Sequence, residues 1–259
     1  MPLGTDMLEL SSSASAVVDL QRAKPMNKER LGVSAIGAYL GITYFWSWCC
    51  WALLILGHFE PFSRAWSFAY VAGLSGPLVG AVCMRWIESG RAGLRSLFLP
   101  LARWRVDLRA YLLSFFLPAV IVVVASVGSH RFFSKNSSAV AWVGIAGLFI
   151  KMLVRGGPLN EEIGWRGYLL PELLARSSPF MASLVMWPLW GVWHLPLWLV
   201  PGVQHHNWPI GWFMLLMLPI SFVFTAIYRL GNGSLLPPIL LHTVINVTFY
   251  LSPVVNMSI

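Results

Sequence analysis

Runs of about twenty mostly apolar residues, the length a helix needs to cross a bilayer, recur through the chain. Residues 33–56, 66–84, 111–127, 139–154, 180–200, 209–228 and 235–255 give seven candidate segments. A shorter and more polar stretch, 158–176, is an eighth candidate as a re-entrant or interfacial helix. Hydrocarbon offers no partner for backbone N–H and C=O groups, so only helices and closed barrels span it. The runs are continuous rather than alternating, which selects helices. The expected fold is therefore an all-α polytopic membrane protein with about seven to eight transmembrane helices. Composition excludes the other classes. The chain is 57% hydrophobic and only 11% charged, whereas soluble domains carry about 25% charged residues. So few charges cannot cover a water-soluble globule, and so much apolar surface does not stay disordered.

The net charge of +8 does not point to nucleic acid, because the cations sit between apolar blocks. Arg22, Lys24, Lys28 and Arg30 precede segment 1, and Arg85, Arg91, Arg95, Arg103, Arg105 and Arg109 lie around the 2–3 loop. The 1–2 loop has only Arg64, the 3–4 loop Arg131 and Lys135, and the 5–6 loop no Lys or Arg. Arg155, Arg166, Arg176 and Arg229 fall on the tail's side. This alternation predicts a cytoplasmic N-terminus. Residues 1–30 read as a polar tail with room for a short interfacial helix and without the apolar core of a signal peptide. Residues 31–259 read as a single transmembrane domain, its motif-bearing core at about 139–255. A short amphipathic helix is expected over 94–108, its arginines against anionic lipid. Cys49, Cys50 and Cys83 form no disulfide framework and read as packing residues.

Ionisable groups at membrane depth cost about 2.5–3.5 kcal/mol each on insertion scales, so their presence asks for a function. Three clusters stand out. In Glu161-Glu162-Ile163-Gly164-Trp165-Arg166-Gly167, Glu162 and Arg166 are four apart and share a helix face. Glu161 points about 100° away and lacks that partner. A desolvated carboxylate of this kind suits a general base, although an interfacial salt bridge with a spare Glu has the same spelling. In Trp190-Gly191-Val192-Trp193-His194-Leu195-Pro196, His194 stands inside an apolar segment that Pro188, Pro196 and Pro201 should loosen. It reads either as a satisfied core imidazole or as one beside a water-accessible notch. His242 and Asn246, four apart in segment 7, are two polar groups on one face. They suit stabilisation of an oxyanion, or an interhelical hydrogen bond.

Together the clusters form a set for activating water and holding an oxyanion, in a cavity inside the membrane. The soluble zinc-protease signature His-Glu-x-x-His is absent. The order Glu-Glu-x-x-x-Arg, aromatic-x-x-x-His, His-x-x-x-Asn resembles the CPBP family of intramembrane proteases, which includes the CAAX prenyl proteases and the bacterial bacteriocin-processing and Abi proteins. The matching residues are Glu161, Glu162 and Arg166, then Trp190 and His194, then His242 and Asn246. The resemblance covers about 156–250, with Trp190 standing where Phe is usual.

The resemblance implies an intramembrane endopeptidase of CAAX or bacteriocin-processing type in a bacterial cell membrane. Its substrate would be a membrane-associated peptide or protein. Glu161 would deprotonate a water that His194 helps to hold, and His242 and Asn246 would stabilise the oxyanion. Glu162 and Arg166 would orient the helix. A divalent metal, zinc, is a candidate cofactor on Glu161, His194 and His242, since catalytic zinc takes such O and N ligands; a metal-free glutamate mechanism is equally allowed. His205 and His206, in the 5–6 loop, read as solvated on the opposite side. Straight helices put Glu161 near the cytoplasmic surface and His194 about 20 Å deep. The mechanism therefore requires that 158–176 enter the membrane as a helix, or that segment 5 begin later. The competing functions are a proton- or ion-coupled transporter and an inactive scaffold for membrane-anchored clients.

Overall fold

An apolar backbone in lipid satisfies its polar groups within its own helix, and the computed structural model of the protein follows that rule. It describes residues 28–128 and 142–251, and every regular element among them is helical. The helices are α1 (Lys28–Leu56), α2 (Arg64–Leu74), α3 (Gly76–Phe98), α4 (Leu108–Gly128) and α5 (Trp142–Arg155). They continue with α6 (Pro158–Gly164), α7 (Leu170–Leu174), α8 (Pro179–Trp193), α9 (Ile210–Leu230) and α10 (Leu236–Leu251). Ser34–Leu56, Pro179–Leu199 and Ile210–Leu230 are long and apolar enough to cross a membrane. The pair Arg64–Leu74 and Gly76–Ala102, bent by 47°, makes a fourth span if counted as one. Leu108–Ile121 and Leu236–Leu251 are apolar but shorter. The chain is thus an all-α membrane protein. Phe45, Leu53, Phe68, Val120, Phe180 and Trp212 are among the large apolar side chains left on its surface, the composition a lipid-facing belt requires. The tail at 1–27, Arg131 and Lys135, and the segment ends at 139–141 and 252–255 lie outside the described residues.

Two predicted elements differ in detail. The helix expected over 94–108 stops early. α3 kinks at Ser89 and Gly90, where the glycine takes φ 54, and its last turns run only to Phe98. A 3₁₀ turn, Leu99–Ala102, follows around Pro100, and residues 103–107 are not helical. Segment 5 is helical only to Trp193, so His194 caps α8 instead of lying inside it. Pro196 ends the α-helical ladder there, since it has no N–H to donate, and a 3₁₀ turn over Leu195–Leu199 takes over.

The stretch 158–176 brings Glu161 to the height of His194. Its residues 158–174 are one unbroken helical run, α6 passing through a π turn at Trp165–Leu169 into α7. One end of that run is tied to the arginine-bearing loops. Tyr168 Oη donates to Glu88 Oε1 at 2.6 Å. Arg85 pairs with Glu88 at 2.8 Å and with Glu172 at 3.3 Å, and Arg176 pairs with Glu172 at 2.8 Å. The start of α10 is anchored nearby in sequence terms, Ser234 Oγ donating to Arg103 O at 2.7 Å and Leu235 N to Pro100 O at 3.3 Å. Counting along the helices at 1.5 Å per residue, Glu161 lies about 20 Å before Leu174 and His194 about 22 Å beyond Pro179. It is Arg176 that stands near the arginine-bearing end, and Glu161 rises along its helix to the level His194 reaches along the next. Packing permits this because Gly164 brings the backbone of α6 against Pro77 of α3, where any Cβ would collide with it. These statements concern Ala38–Ile259, which forms one compact unit.

Candidate active site

The first carboxylate sits where it does because of Gly157. Pro158 opens α6 with its fixed φ, and the residue before it must turn the chain sharply. Gly157 does so at φ 99 as the N-cap, a conformation that side-chain-bearing residues resist. Its carbonyl accepts Glu161 N–H at 2.8 Å, and a Cβ on it would overlap Glu161 Oε1. Glu161 is 2% exposed. Its Oε2 accepts the indole N–H of Trp190 at 3.0 Å.

Trp190 links two of the predicted clusters. While its ring donates to Glu161, its carbonyl bonds His194 Nδ1 at 2.8 Å. A carbonyl only accepts, so Nδ1 carries the proton and the lone pair of a neutral His194 lies on Nε2. The Trp190 ring also meets the His242 ring edge-to-face, with centroids 5.6 Å apart.

The second carboxylate is a hub of its own. Glu162 Oε1 accepts from Arg166 Nη1 at 3.0 Å and pairs with His242 Nδ1 at 2.7 Å. All three side chains are buried, Glu162 completely. Arg166 lies over two rings that meet edge-to-face, its Cζ 4.1 Å from the Trp190 centroid and 3.8 Å from that of Phe224. These two faces replace some of the hydration a buried guanidinium loses. Asn246 Nδ2 donates to Gly156 O at 3.1 Å, tying α10 to the elbow that carries Glu161. Its second N–H remains for another acceptor.

The structure thus gathers Glu161, Glu162, Arg166, Trp190, His194, His242 and Asn246 from α6, the π turn, the end of α8 and α10. The candidate zinc set fares differently. Among the described residues no group of three His, Cys, Asp or Glu is gathered as a metal ion needs. His242 Nδ1 is engaged by Glu162 and one Glu161 oxygen by Trp190, which leaves Nε2 of His242 and the other Glu161 oxygen as donors. The reaction proposed for this site uses no metal.

The sequence reading missed three residues. Gly157 had a weak signal, the pair Gly156-Gly157 before Pro158. Phe224 had none. His205 was read as solvated, but its half-buried ring stacks on His194 with centroids 5.3 Å apart and planes at 25°. Packing around it lowers its pKa to about 4, so it stays neutral near pH 7. His206 is exposed, as read, and bonds Trp198 O at 2.7 Å.

Residues 142–248 match the model of a family described as type II CAAX prenyl endopeptidase, Rce1-like. The chain is also 34% identical over 92 residues to CAAX prenyl protease 2 of Methanococcus maripaludis. That alignment takes in 33% of this chain and 34% of the archaeal protein, so about a third of the relative's length is matched.

Proposed function

We infer, from the likeness of residues 142–248 to CAAX prenyl endopeptidases, that the chain is an endopeptidase hydrolysing a peptide bond of a membrane-associated substrate. What supports this is a single arrangement. A buried carboxylate, Glu161, shares Trp190 with His194, and Trp190 packs on the imidazole that a second buried carboxylate holds.

In the proposed reaction Glu161 takes a proton from water as the oxygen bonds to the substrate carbonyl carbon. His194 Nε2, left as an acceptor by its Nδ1 bond to Trp190, accepts a hydrogen bond from the water's other O–H, which stays on the oxygen, and fixes its direction. The carbonyl oxygen becomes an oxyanion. His242 Nε2 donates to it when the ring carries both protons, a charge that Glu162 compensates at 2.7 Å. The second N–H of Asn246 is the other donor. As the C–N bond breaks, Glu161 returns its proton to the leaving amine. A positioned base contributes about 10²–10⁴-fold and each oxyanion donor about 10²–10³-fold. Glu162 and Arg166 hold the helix that carries the base. The arginine-bearing end faces the cytoplasm on this reading, with the protein in a bacterial cell membrane.

The test is cleavage of a quenched fluorescent peptide ending in a farnesylated Cys-a-a-X sequence, beside its unprenylated twin, by the full chain in micelles. Glu161→Gln and His194→Gln should both abolish it. Cleavage persisting in both would leave the transporter and scaffold readings. Equal cleavage of the two peptides would place the substrate outside the prenylated class.

A further inference from the structure

The connector between α8 and α9 is folded onto the site instead of hanging in solvent. Trp198 Nε1 donates to Trp208 O at 2.6 Å, and Trp208 N to His205 O at 3.0 Å. His206 Nδ1 bonds Trp198 O at 2.7 Å. These bonds lock a 3₁₀ turn, Gln204–Asn207, in place. The His205 ring is wedged between Trp198 and Phe213, both edge-to-face at 5.2 Å. Its flat face lies on His194. His194 has one ring atom fixed, Nδ1 on Trp190 O. A single hydrogen bond lets an imidazole swing about that contact, and a site of this kind works only when its side chains are held by packing as well. Phe213 meets the His194 ring at 5.1 Å and Trp193 meets it at 4.7 Å, but both edge-on. Only His205 lies near parallel to it among these neighbours.

We propose that His205 is a positioning residue whose stacked ring fixes the direction of His194 Nε2. The stack requires a flat ring and not the imidazole nitrogens. The proposal rests on the proteolytic reading for its kinetic consequence, though not for its structural one.

The discriminating variants are His205→Ala and His205→Phe in the full chain, in micelles. On the farnesylated peptide, His205→Ala should lower kcat about 10- to 100-fold, the scale of a misplaced reacting group. KM should change less than about twofold, and His205→Phe should restore most of kcat. Histidine ring ¹⁵N spectra supply a readout independent of cleavage. The His194 resonances, identified by their loss in His194→Gln, should report one Nδ1-protonated ring in the parent and in His205→Phe. In His205→Ala they should broaden or average. If the parent cleaves nothing but the spectra behave so, the proteolytic reading fails and the positioning role stands. Unchanged His194 signals in His205→Ala overturn the proposal. So does a His205→Phe variant as slow as His205→Ala, which would assign the role to the imidazole nitrogens.

Discussion

Along the run 158–174 the chain builds two carboxylate–guanidinium assemblies in different surroundings. Glu172 meets Arg85 and Arg176, with each side chain between 21% and 29% exposed. Glu162 meets Arg166 and His242, with its own side chain fully buried and Arg166 at 1%. The outer assembly spreads its contacts over Glu88 and Tyr168 as well, and of its atoms Arg85 Nε is buried without a partner among the described residues. The inner one leaves Glu162 Oε2 and Arg166 Nε and Nη2 without partners among the described residues. Each orphaned buried group costs about 1–3 kcal/mol. A pair near water contributes about 0–1 kcal/mol, whereas breaking a buried one costs about 3–5 kcal/mol because a lone charge stays behind. The outer assembly therefore reads as a tie between helices. The inner one is tolerated despite its cost, which fits a group that holds an imidazole in a chosen state beside Glu161.

The largest effect should come from Glu161→Gln, which keeps the shape and the bond to Trp190 while removing the base. Its cleavage rate should fall about 10²–10⁴-fold with little change in thermal unfolding, and a rate near that of the parent would break the contrast. Arg166→Ala leaves Glu162 buried and half its pairing gone, so it should lose about 3–5 kcal/mol in denaturant unfolding. An unfolding curve unmoved by it would mean that water reaches the inner assembly. Asn246→Ala should reduce kcat about 10²–10³-fold if its free N–H faces the oxyanion. A much smaller loss would show that its bond to Gly156 O is its main role. Glu172→Gln should cost less than about 1 kcal/mol and leave cleavage intact. Least of all should follow from a chelator such as EDTA, because the donors are not gathered for a metal; inhibition reversed by zinc would show that Glu161, His194 and His242 can close around an ion.

Much of the site was legible because helical spacing is local. Glu162 and Arg166 at i and i+4 pair as their numbers require, and the motif order resembled the family of CAAX proteases whose model matches residues 142–248. Several things were not legible. Trp190 was marked only as an aromatic, and nothing in the spelling shows that its N–H reaches Glu161, 29 positions away. The 94–108 helix stopped early because the turn around Pro100 outweighed its amphipathic pattern. His205 was misjudged because loop membership was taken to mean solvation, whereas Trp198 and Trp208 fold that connector back on itself.

The sequence by itself determined that this chain is a helical membrane protein and which residues could carry its chemistry, since apolar length and one-turn spacing are properties of the chain alone. The tertiary structure decided the position of Glu161 relative to His194, the partner of each carboxylate, the proton position on His194 and the place of His205. Those depend on how separate helices stack, on a glycine elbow and a close glycine contact, and no local rule carries such distances.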